Sequence, residues 1–192
     1  MTSPRGNVYL IGAGPGDPGL LTLRGAECLA EADVVLYDYL AGPELLAHVR
    51  PDAELVCLGR HGHGRLLTQE EINDRMVREA RAGLTVARLK GGDPAIFGRL
   101  TEEMTALDAA RVPYEVVPGV SAAQGASSYA GIPLTDRDDA SCVAFVTGQE
   151  CTSKEKQGGL DYGALAKFPG TLVFYMGLTT APHWSQALLE HG

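Results

Sequence analysis

The 192 residues contain no long apolar run, no excess of basic residues and no cysteine motif, and each absence excludes a class of protein. No run approaches the ~20 apolar residues that a membrane-spanning helix needs. The net charge of −8 at pH 7 disfavours nucleic-acid binding, because nucleic-acid-binding surfaces are basic. The four cysteines lack the CxxC and Cys/His spacings of metal sites, so we expect reduced thiols.

The amino-terminal residues are polar and lack the apolar core of a secretory signal peptide. We therefore expect a cytoplasmic protein. Hydrophobic residues make up 45% of the chain, which is sufficient for one medium-sized core and part of a second.

Strand-like and helix-like segments alternate along the chain. Residues 7–12 and 33–37 are short apolar runs typical of buried strands. Residues 68–82 form the clearest helix, because Thr68 and Glu71 have the spacing of a capping box and apolar residues recur on one face. This alternation predicts an α/β fold with mainly parallel sheets.

The composition changes near residues 136–140, where charged and polar residues follow the last helix-like segment. We therefore predict an N-terminal α/β domain over residues 1–138 and a C-terminal α/β domain over residues 139–192. About fifty residues would hardly close a sheet alone, so the second domain is expected to be partial.

The first predicted strand runs into a loop rich in glycine and proline, GAGPGDP at residues 12–18. A strand followed by GxG and a helix is compatible with dinucleotide binding, and Asp38 lies far enough downstream to hold a ribose. We reject this interpretation because Asp17 stands where the third glycine would meet a pyrophosphate. Pro15 and Pro18 also remove two N–H donors. By itself the loop leaves a structural and a functional role equally open.

The same loop opens a series of motifs that resembles the tetrapyrrole methylase family. The motifs recur in the family's order over nearly the whole chain. They are GAGPGDPGLLTLRGAECLAEADVVLYD (12–38), GPELL (42–46), QEEIN (69–73), LKGGDPAIFGR (89–99), VPGVSAA (117–123), YAGIPLT (129–135), VTG (146–148) and TLVFYMGL (171–178). The YD pair and the GGDP-x-IFGR block resemble the members that methylate uroporphyrinogen III more than the later precorrin methylases.

The resemblance implies two α/β domains with S-adenosylmethionine (SAM) bound in the cleft between them, and a homodimer. It also implies transfer of methyl groups to two ring carbons of uroporphyrinogen III. The products would be S-adenosylhomocysteine and precorrin-2, for sirohaem or cobalamin synthesis. No metal, nucleic acid or membrane is expected as a partner.

The resemblance also places eight residues at the cofactor. They are Pro15, Gly91, Gly92, Asp93, Ile96, Ser121, Ala122 and Met176. Glycine allows the backbone to approach a ligand closely, and the carboxylate of Asp93 would lie near the cationic sulfonium. From the residues alone, Asp93 is equally well a turn residue before Pro94, and Met176 is better explained as a core residue after a strand.

Asp38 and Arg60 are the catalytic candidates. Asp38 matches the family's proton acceptor and follows the second strand, although a helix-capping role is the alternative. Arg60 stands where the family has a proton-donating lysine. Because arginine stays charged and donates protons poorly, we expect it to stabilise charge or bind a carboxylate. The basic segment 60–65, Arg99 and Arg137 are further candidates for the eight substrate carboxylates, with a solvated loop as the alternative for 60–65.

The chain departs from the family pattern mainly where the tetrapyrrole is expected. YDRL becomes YDYL at 37–40, FGRGGEE becomes FGRLTEE at 97–103, and PLTHR becomes PLTDR at 133–137. Three alternatives therefore stay open: a methylase of another tetrapyrrole, a protein that binds SAM or a tetrapyrrole without turnover, and a nicotinamide dehydrogenase.

Overall fold

The computed structural model describes residues 6–38, 40–59, 67–150 and 159–192. The chain divides into two compact units, an N-terminal unit over Met1–Ala126 and a C-terminal unit over Ser127–Gly192. This division comes earlier in the chain than the predicted domain boundary after residue 138, which stays a prediction.

The described residues form seven strands and six α-helices. The strands are Val8–Gly12 (β1), Val34–Tyr37 (β2), Glu54–Cys57 (β3), Val86–Lys90 (β4), Tyr114–Val117 (β5), Val143–Thr147 (β6) and Thr171–Tyr175 (β7). The α-helices are Leu23–Glu31 (α1), Gln69–Arg81 (α2), Leu100–Ala110 (α3), Ala122–Ala130 (α4), Tyr162–Ala166 (α5) and Ala181–His191 (α6). Short 3-10 helices span Pro18–Leu20 and Pro43–His48.

The sheet of the N-terminal unit has five parallel strands in the order β3-β2-β4-β1-β5. Val8 of β1 lies opposite Val86 of β4 on one side and Tyr114 of β5 on the other. Every residue of β1 and β4 is buried, as expected for central parallel strands covered by helices on both faces. The predicted α/β class with mainly parallel sheets is confirmed.

Successive residues of these strands face opposite layers of helices. On one face, α1 and the 3-10 helix at Pro43–His48 pack against the sheet. The buried residues of that layer include Tyr9, Ile11, Leu29, Val35, Leu45 and Leu89. On the other face α2 and α3 cover the sheet, and the buried residues include Val8, Leu10, Leu36, Met76, Val86 and Leu107.

Local side-chain caps fix the beginnings of two helices. The Thr22 hydroxyl accepts a hydrogen bond from the Gly25 N–H at the start of α1. Thr68 and Glu71 form the predicted capping box of α2. The beginning of α3 has no such side-chain cap. Arg99, the residue before it, has a left-handed φ of 56° and makes no capping side-chain hydrogen bond.

The C-terminal unit contains the parallel pair β6 and β7 together with α5 and α6. Phe174 of β7 stacks on Trp184 of α6, with ring centroids 4.2 Å apart. The indole N–H of Trp184 donates to the Gly177 carbonyl at 2.9 Å, which fixes α6 against the end of β7. Every residue of β7 is half-buried. None of the described helices, in either unit, is long and apolar enough to cross a membrane.

Candidate functional site

The loops that follow β1 and β4 join at the carboxyl edge of the N-terminal sheet. Gly14 and Gly92 exchange two backbone hydrogen bonds, with N–O distances of 3.2 and 2.8 Å. Both glycines have a positive φ, 75° for Gly14 and 68° for Gly92, which other residues rarely adopt. In α/β sheets, ligands bind outside this edge, so the loops lie where a binding site is expected.

The loop after β5 packs directly on these two loops. A Cβ atom at Gly119 would lie 2.3 Å from the Gly92 carbonyl oxygen and 2.8 Å from the Cα of Gly12. These are contacts with backbone that has no freedom to move aside. Glycine is therefore required at Gly119 for close packing of three strand ends.

The carboxylate of Asp93 ties the same loops together. Its Oδ2 accepts from the Gly119 N–H at 2.9 Å, and its Oδ1 accepts from the Ala95 N–H at 2.8 Å. Asp93 thus has the turn-forming bonds that were the alternative to its predicted cofactor role. The same bonds fix a negative charge at this edge of the sheet.

Pro15 and Ser121 anchor the first loop to the beginning of α4. A Cβ atom at Gly125 would lie 2.5 Å from Cγ of Pro15, so the proline ring packs on the helix backbone. Ser121 is buried and its N–H donates to Oε1 of Gln124 at 3.0 Å, whereas Ala122 is exposed. Pro15 is half-buried, so part of its ring reaches the surface.

Apolar side chains surround the loop after β4. A Cβ atom at Gly91 would lie 2.7 Å from Cβ of Leu40, so these residues are neighbours. Leu40 and Phe97 are exposed large hydrophobic residues, and Ile96 is half-buried. Phe97 has a left-handed φ of 51°, a backbone strain that is common at ligand-binding sites.

Asp38 lies at the end of β2 and is half-buried. Its Oδ1 accepts from the Leu40 N–H at 3.3 Å, which shapes the turn after the strand. Its Oδ2 lies 3.5 Å from Nη2 of Arg88, and 25% of its side chain is exposed. One side of this carboxylate therefore contacts a buried cation while part of it reaches solvent.

Arg88, Lys90 and Glu103 form a buried ionic cluster beneath Asp38. Oε1 of Glu103 accepts from Nε of Arg88 at 3.1 Å, and its Oε2 accepts from Nζ of Lys90 at 2.7 Å. The Glu103 side chain is fully buried. Burial first, and then the charge of Arg88, lowers the pKa of Lys90, while Glu103 opposes that shift. We define these three residues as the β4–α3 ion cluster.

Sequence reasoning missed the β4–α3 ion cluster. The available signal was the pair of cations at positions 88 and 90 in a strand that otherwise reads as buried. Buried charges of this kind need partners, which points to an acidic residue on a covering helix. The sequence does not say which acidic residue packs there.

Arg99 and Glu102 form an exposed bidentate pair at the start of α3. Nε and Nη2 of Arg99 donate to the two Glu102 oxygens, both at 2.7 Å. The hydrogen bonds from Arg99 hold the pKa of Glu102 below its ordinary value. Arg99, predicted as a carboxylate-binding candidate, is thus exposed at the end of the loop after β4.

The remaining predicted residues lie elsewhere. Met176 follows β7 in the C-terminal unit, with a left-handed φ of 54° and 55% of its surface exposed. That exposure contradicts the alternative that Met176 is a core residue of its unit. Arg137 is an exposed residue of the C-terminal unit. Arg60 and the segment 60–65 lie outside the described residues.

The described residues contain no group of three or more His, Cys, Asp or Glu side chains placed to hold a metal ion. What the N-terminal unit offers is a glycine-lined edge with exposed apolar side chains and fixed carboxylates. Fold and site together define an α/β protein with a candidate ligand site at the carboxyl ends of parallel strands.

The chain belongs to the tetrapyrrole methylase family. The family model described as Tetrapyrrole (Corrin/Porphyrin) Methylases matches residues 7–192. This confirms the resemblance that the sequence motifs indicated.

Curated relatives and solved structures agree with this membership. The siroheme synthase of Zymomonas mobilis subsp. mobilis is 51% identical over 189 residues, which is 98% of this chain and 39% of the relative. The chain thus spans about two fifths of the length of the curated relatives it matches. The uroporphyrin-III C-methyltransferase of Thermus thermophilus complexed with S-adenyl homocysteine is 44% identical, with a TM-score of 0.79. The match covers 97% of this chain and 77% of that one.

A second solved structure has similar backbone geometry and a different substrate. It is a cobalt precorrin-4 methyltransferase of cobalamin biosynthesis, 32% identical with a TM-score of 0.82. The match covers 97% of this chain and 75% of that chain. The shared fold therefore does not by itself select a tetrapyrrole.

Proposed function

We propose that this chain carries a SAM-dependent C-methyltransferase that converts uroporphyrinogen III to precorrin-2. The observation that carries the proposal is the 44% identity to a uroporphyrin-III C-methyltransferase solved with S-adenyl homocysteine. The identity to the cobalt precorrin-4 methyltransferase is lower, at 32%.

The described residues of the N-terminal unit fit the proposed cofactor. A Cβ atom at Gly92 would lie 3.8 Å from the backbone N of Ala122 and from Cα of Ser121, so Gly92 borders the beginning of α4 at the strand ends. Leu40 and Phe97 offer exposed apolar surface of the kind that packs against an adenine ring. The carboxylates of Asp38 and Asp93 favour a cationic ligand.

In this proposal, bound SAM supplies an activated methyl group, and the chain's own residues hold the reactants and accept a proton. Gly91, Gly92 and Pro15 shape the cofactor edge, with Asp93 fixing the loop geometry. Ile96, Ser121, Ala122 and Met176 are proposed as further cofactor contacts. Correct placement of the methyl group toward the ring carbon is the main contribution of such residues.

Asp38 is the proposed base. When the ring carbon forms its bond to the methyl group, the methylated tetrapyrrole must lose a proton, and the carboxylate of Asp38 accepts it. Asp38 is suited to this because part of it reaches solvent at the strand ends. Arg60 is proposed to stabilise charge, and Arg99 and Arg137 to bind substrate carboxylates.

The cofactor half of the proposal is tested by calorimetric titration of the chain with SAM and with S-adenosylhomocysteine. We expect both to bind. Failure of both to bind would contradict the enzyme assignment and leave family membership standing.

The catalytic half is tested by Asp38→Asn under anaerobic turnover of uroporphyrinogen III. We expect kcat to fall about 100-fold, the scale of a lost general base, with the Kd of S-adenosylhomocysteine changed by less than about threefold. Asp52→Asn is the matched control, because Asp52 is an exposed carboxylate before β3, at the opposite edge of the sheet. Equal loss of turnover and cofactor affinity in Asp38→Asn would make Asp38 a structural residue.

The alternative substrate within the family is a later precorrin. The chain's departures from the family pattern at 37–40, 97–103 and 133–137, where the tetrapyrrole is expected, are the observation that favours it. Methylation of a later precorrin with uroporphyrinogen III left unchanged would select this alternative. We further propose a homodimer, which sedimentation of the purified chain would show as twice the 20.3 kDa chain mass.

A further inference from the structure

The β4–α3 ion cluster has no part in the mechanism above, although burying its charges is costly. Arg88, Lys90 and Glu103 are each at least nine-tenths buried. Removing such groups from water is costly, and the attraction between paired charges only offsets that cost. A buried ion cluster is weak evidence for stability, so stability alone does not explain why this one lies next to Asp38.

The cluster is not electrically balanced by itself. Arg88 and Lys90 contribute two positive charges, and Glu103 contributes one negative charge. The fourth charge is Asp38, whose Oδ2 lies 3.5 Å from Nη2 of Arg88. The carboxylate of Asp38 thus brings the two positive and two negative charges of the four groups together at the end of β4.

The hydrogen bonds of the Arg88 guanidinium also determine where its third nitrogen points. Its Nε donates to Glu103 at 3.1 Å and its Nη1 donates to the Leu89 carbonyl at 2.9 Å. These two bonds on a planar group determine where the third nitrogen points, and Nη2 faces Asp38. A lysine has one nitrogen and lacks this fork.

Glu103 is in turn held from the helix layer. Its Oε1 also accepts from Nε2 of Gln69 on α2 at 3.3 Å, and its Oε2 accepts from Lys90. Two helices and the central strand therefore determine the position of one carboxylate. By contrast, Arg99 and Glu102 pair with each other at the exposed beginning of α3.

We propose that Arg88, anchored by Glu103, is a positioning residue that orients the carboxylate of Asp38 for proton acceptance. This rests on the proposed function, in which Asp38 is the base. Arg88 contacts neither cofactor nor substrate in this proposal and acts through Asp38. Lys90 completes the charge balance of Glu103 without contacting Asp38.

The test compares Arg88→Met with Lys90→Met in the full chain. Both remove one buried cation of similar size from β4, and in both Glu103 keeps one cationic partner, so both variants are expected to fold. Arg88→Met is expected to lower kcat about tenfold, with KM and the Kd of S-adenosylhomocysteine within about threefold. Lys90→Met is expected to lower kcat less than threefold. Equal losses in the two variants would overturn the proposal.

Arg88→Lys and a double variant separate positioning from general damage. Arg88→Lys keeps the charge and loses the fork, so we expect kcat between those of wild type and Arg88→Met. In the Asp38→Asn background, Arg88→Met is expected to have no further effect on kcat, because its effect passes through Asp38. A further tenfold loss in that background would overturn the proposal.

A measurement that does not depend on turnover distinguishes failure of this proposal from failure of the proposed function. In urea unfolding, the effects of Arg88→Met and Asp38→Asn should be non-additive by at least about threefold in the unfolding equilibrium constant. Lys90→Met and Asp38→Asn should be closer to additive. Additivity of Arg88→Met with Asp38→Asn would contradict the contact itself, whereas absent turnover in wild type with this coupling intact would contradict only the proposed function.

Discussion

The two units of this chain join strand ends in the same way and bury their strands to very different extents. In the N-terminal unit Gly119 packs on Gly92, and in the C-terminal unit a Cβ atom at Gly148 would lie 2.3 Å from the Cα of Gly177. Yet β1 and β4 are buried throughout, while every residue of β7 is half-buried. Close strand ends therefore do not require a deeply buried sheet.

The difference in strand burial follows from the number of strands and helix layers in each unit. Five parallel strands between two helix layers exclude water from both faces, whereas a pair of strands leaves its edges and part of its faces accessible. Among the described residues, the buried charged side chains Arg88, Lys90 and Glu103 all lie in the N-terminal unit. Electrostatic interactions are stronger where water is excluded, so this unit is where a buried cation would orient the proposed base.

Removing one acidic charge from each unit is expected to give the largest difference in stability between them. Glu103→Gln leaves two buried cations facing a neutral amide, and we expect a loss of about 3 kcal/mol in the free energy of unfolding. Glu190→Gln changes an exposed carboxylate on α6 that accepts from Gln186, and we expect less than about 1 kcal/mol. Urea unfolding measures both. Similar losses would mean that Glu103 is not buried as a charge.

A matched pair of leucines tests the difference in apolar burial. Leu10 of β1 is fully buried and Leu172 of β7 is half-buried. Leu10→Ala is expected to lower the free energy of unfolding by about 2.5 kcal/mol, because it leaves a cavity. Leu172→Ala is expected to cost about 1 kcal/mol, since less surface returns to water. A larger loss for Leu172→Ala would contradict the burial contrast.

Thiol labelling tests the same difference in burial without a substitution in the core, and its expected effect is the smallest of the three. Cys28 of α1 is fully buried, and burial raises the pKa of its thiol to about 11, so little reactive thiolate exists at pH 8. Cys142 before β6 is half-buried and Cys57 is exposed. In a Cys151→Ser background, both should react at least about tenfold faster than Cys28.

The contribution of Cys28 to the stability of the fold decreases as the pH rises. Between its unfolded pKa near 9.0 and its folded pKa near 11, the folded state retains a proton that the unfolded state loses. Its contribution to stability is therefore present below pH 9 and is lost as the pH rises through 11. Reaction of Cys28 at pH 8 as fast as that of Cys142 would contradict the burial of α1.

The N-terminal sheet and the family motifs were predictable because their signals are local. The apolar runs of β1 and β2, the cap at Thr22 and the capping box at Thr68 each depend on residues within a few positions of one another. These local patterns therefore predict the parallel α/β class that the structure confirms.

The β4–α3 ion cluster was not predictable, because it depends on which helix covers which strand. Glu102 and Glu103 are adjacent in sequence, yet the first pairs with Arg99 at the surface and the second is buried against Arg88. Likewise, the bond from Gly119 to Asp93 links residues far apart in the chain. Only the packed fold distinguishes such neighbours.

The central claim is that this chain transfers methyl groups from SAM to uroporphyrinogen III. The direct measurement is mass spectrometry of the tetrapyrrole after anaerobic incubation of the chain with SAM carrying a deuterated methyl group. Our account predicts a product with two labelled methyl groups on carbon, and their strong reduction in Asp38→Asn but not in Asp52→Asn. An unlabelled tetrapyrrole from a chain that binds SAM, or label only on a later precorrin, would contradict it.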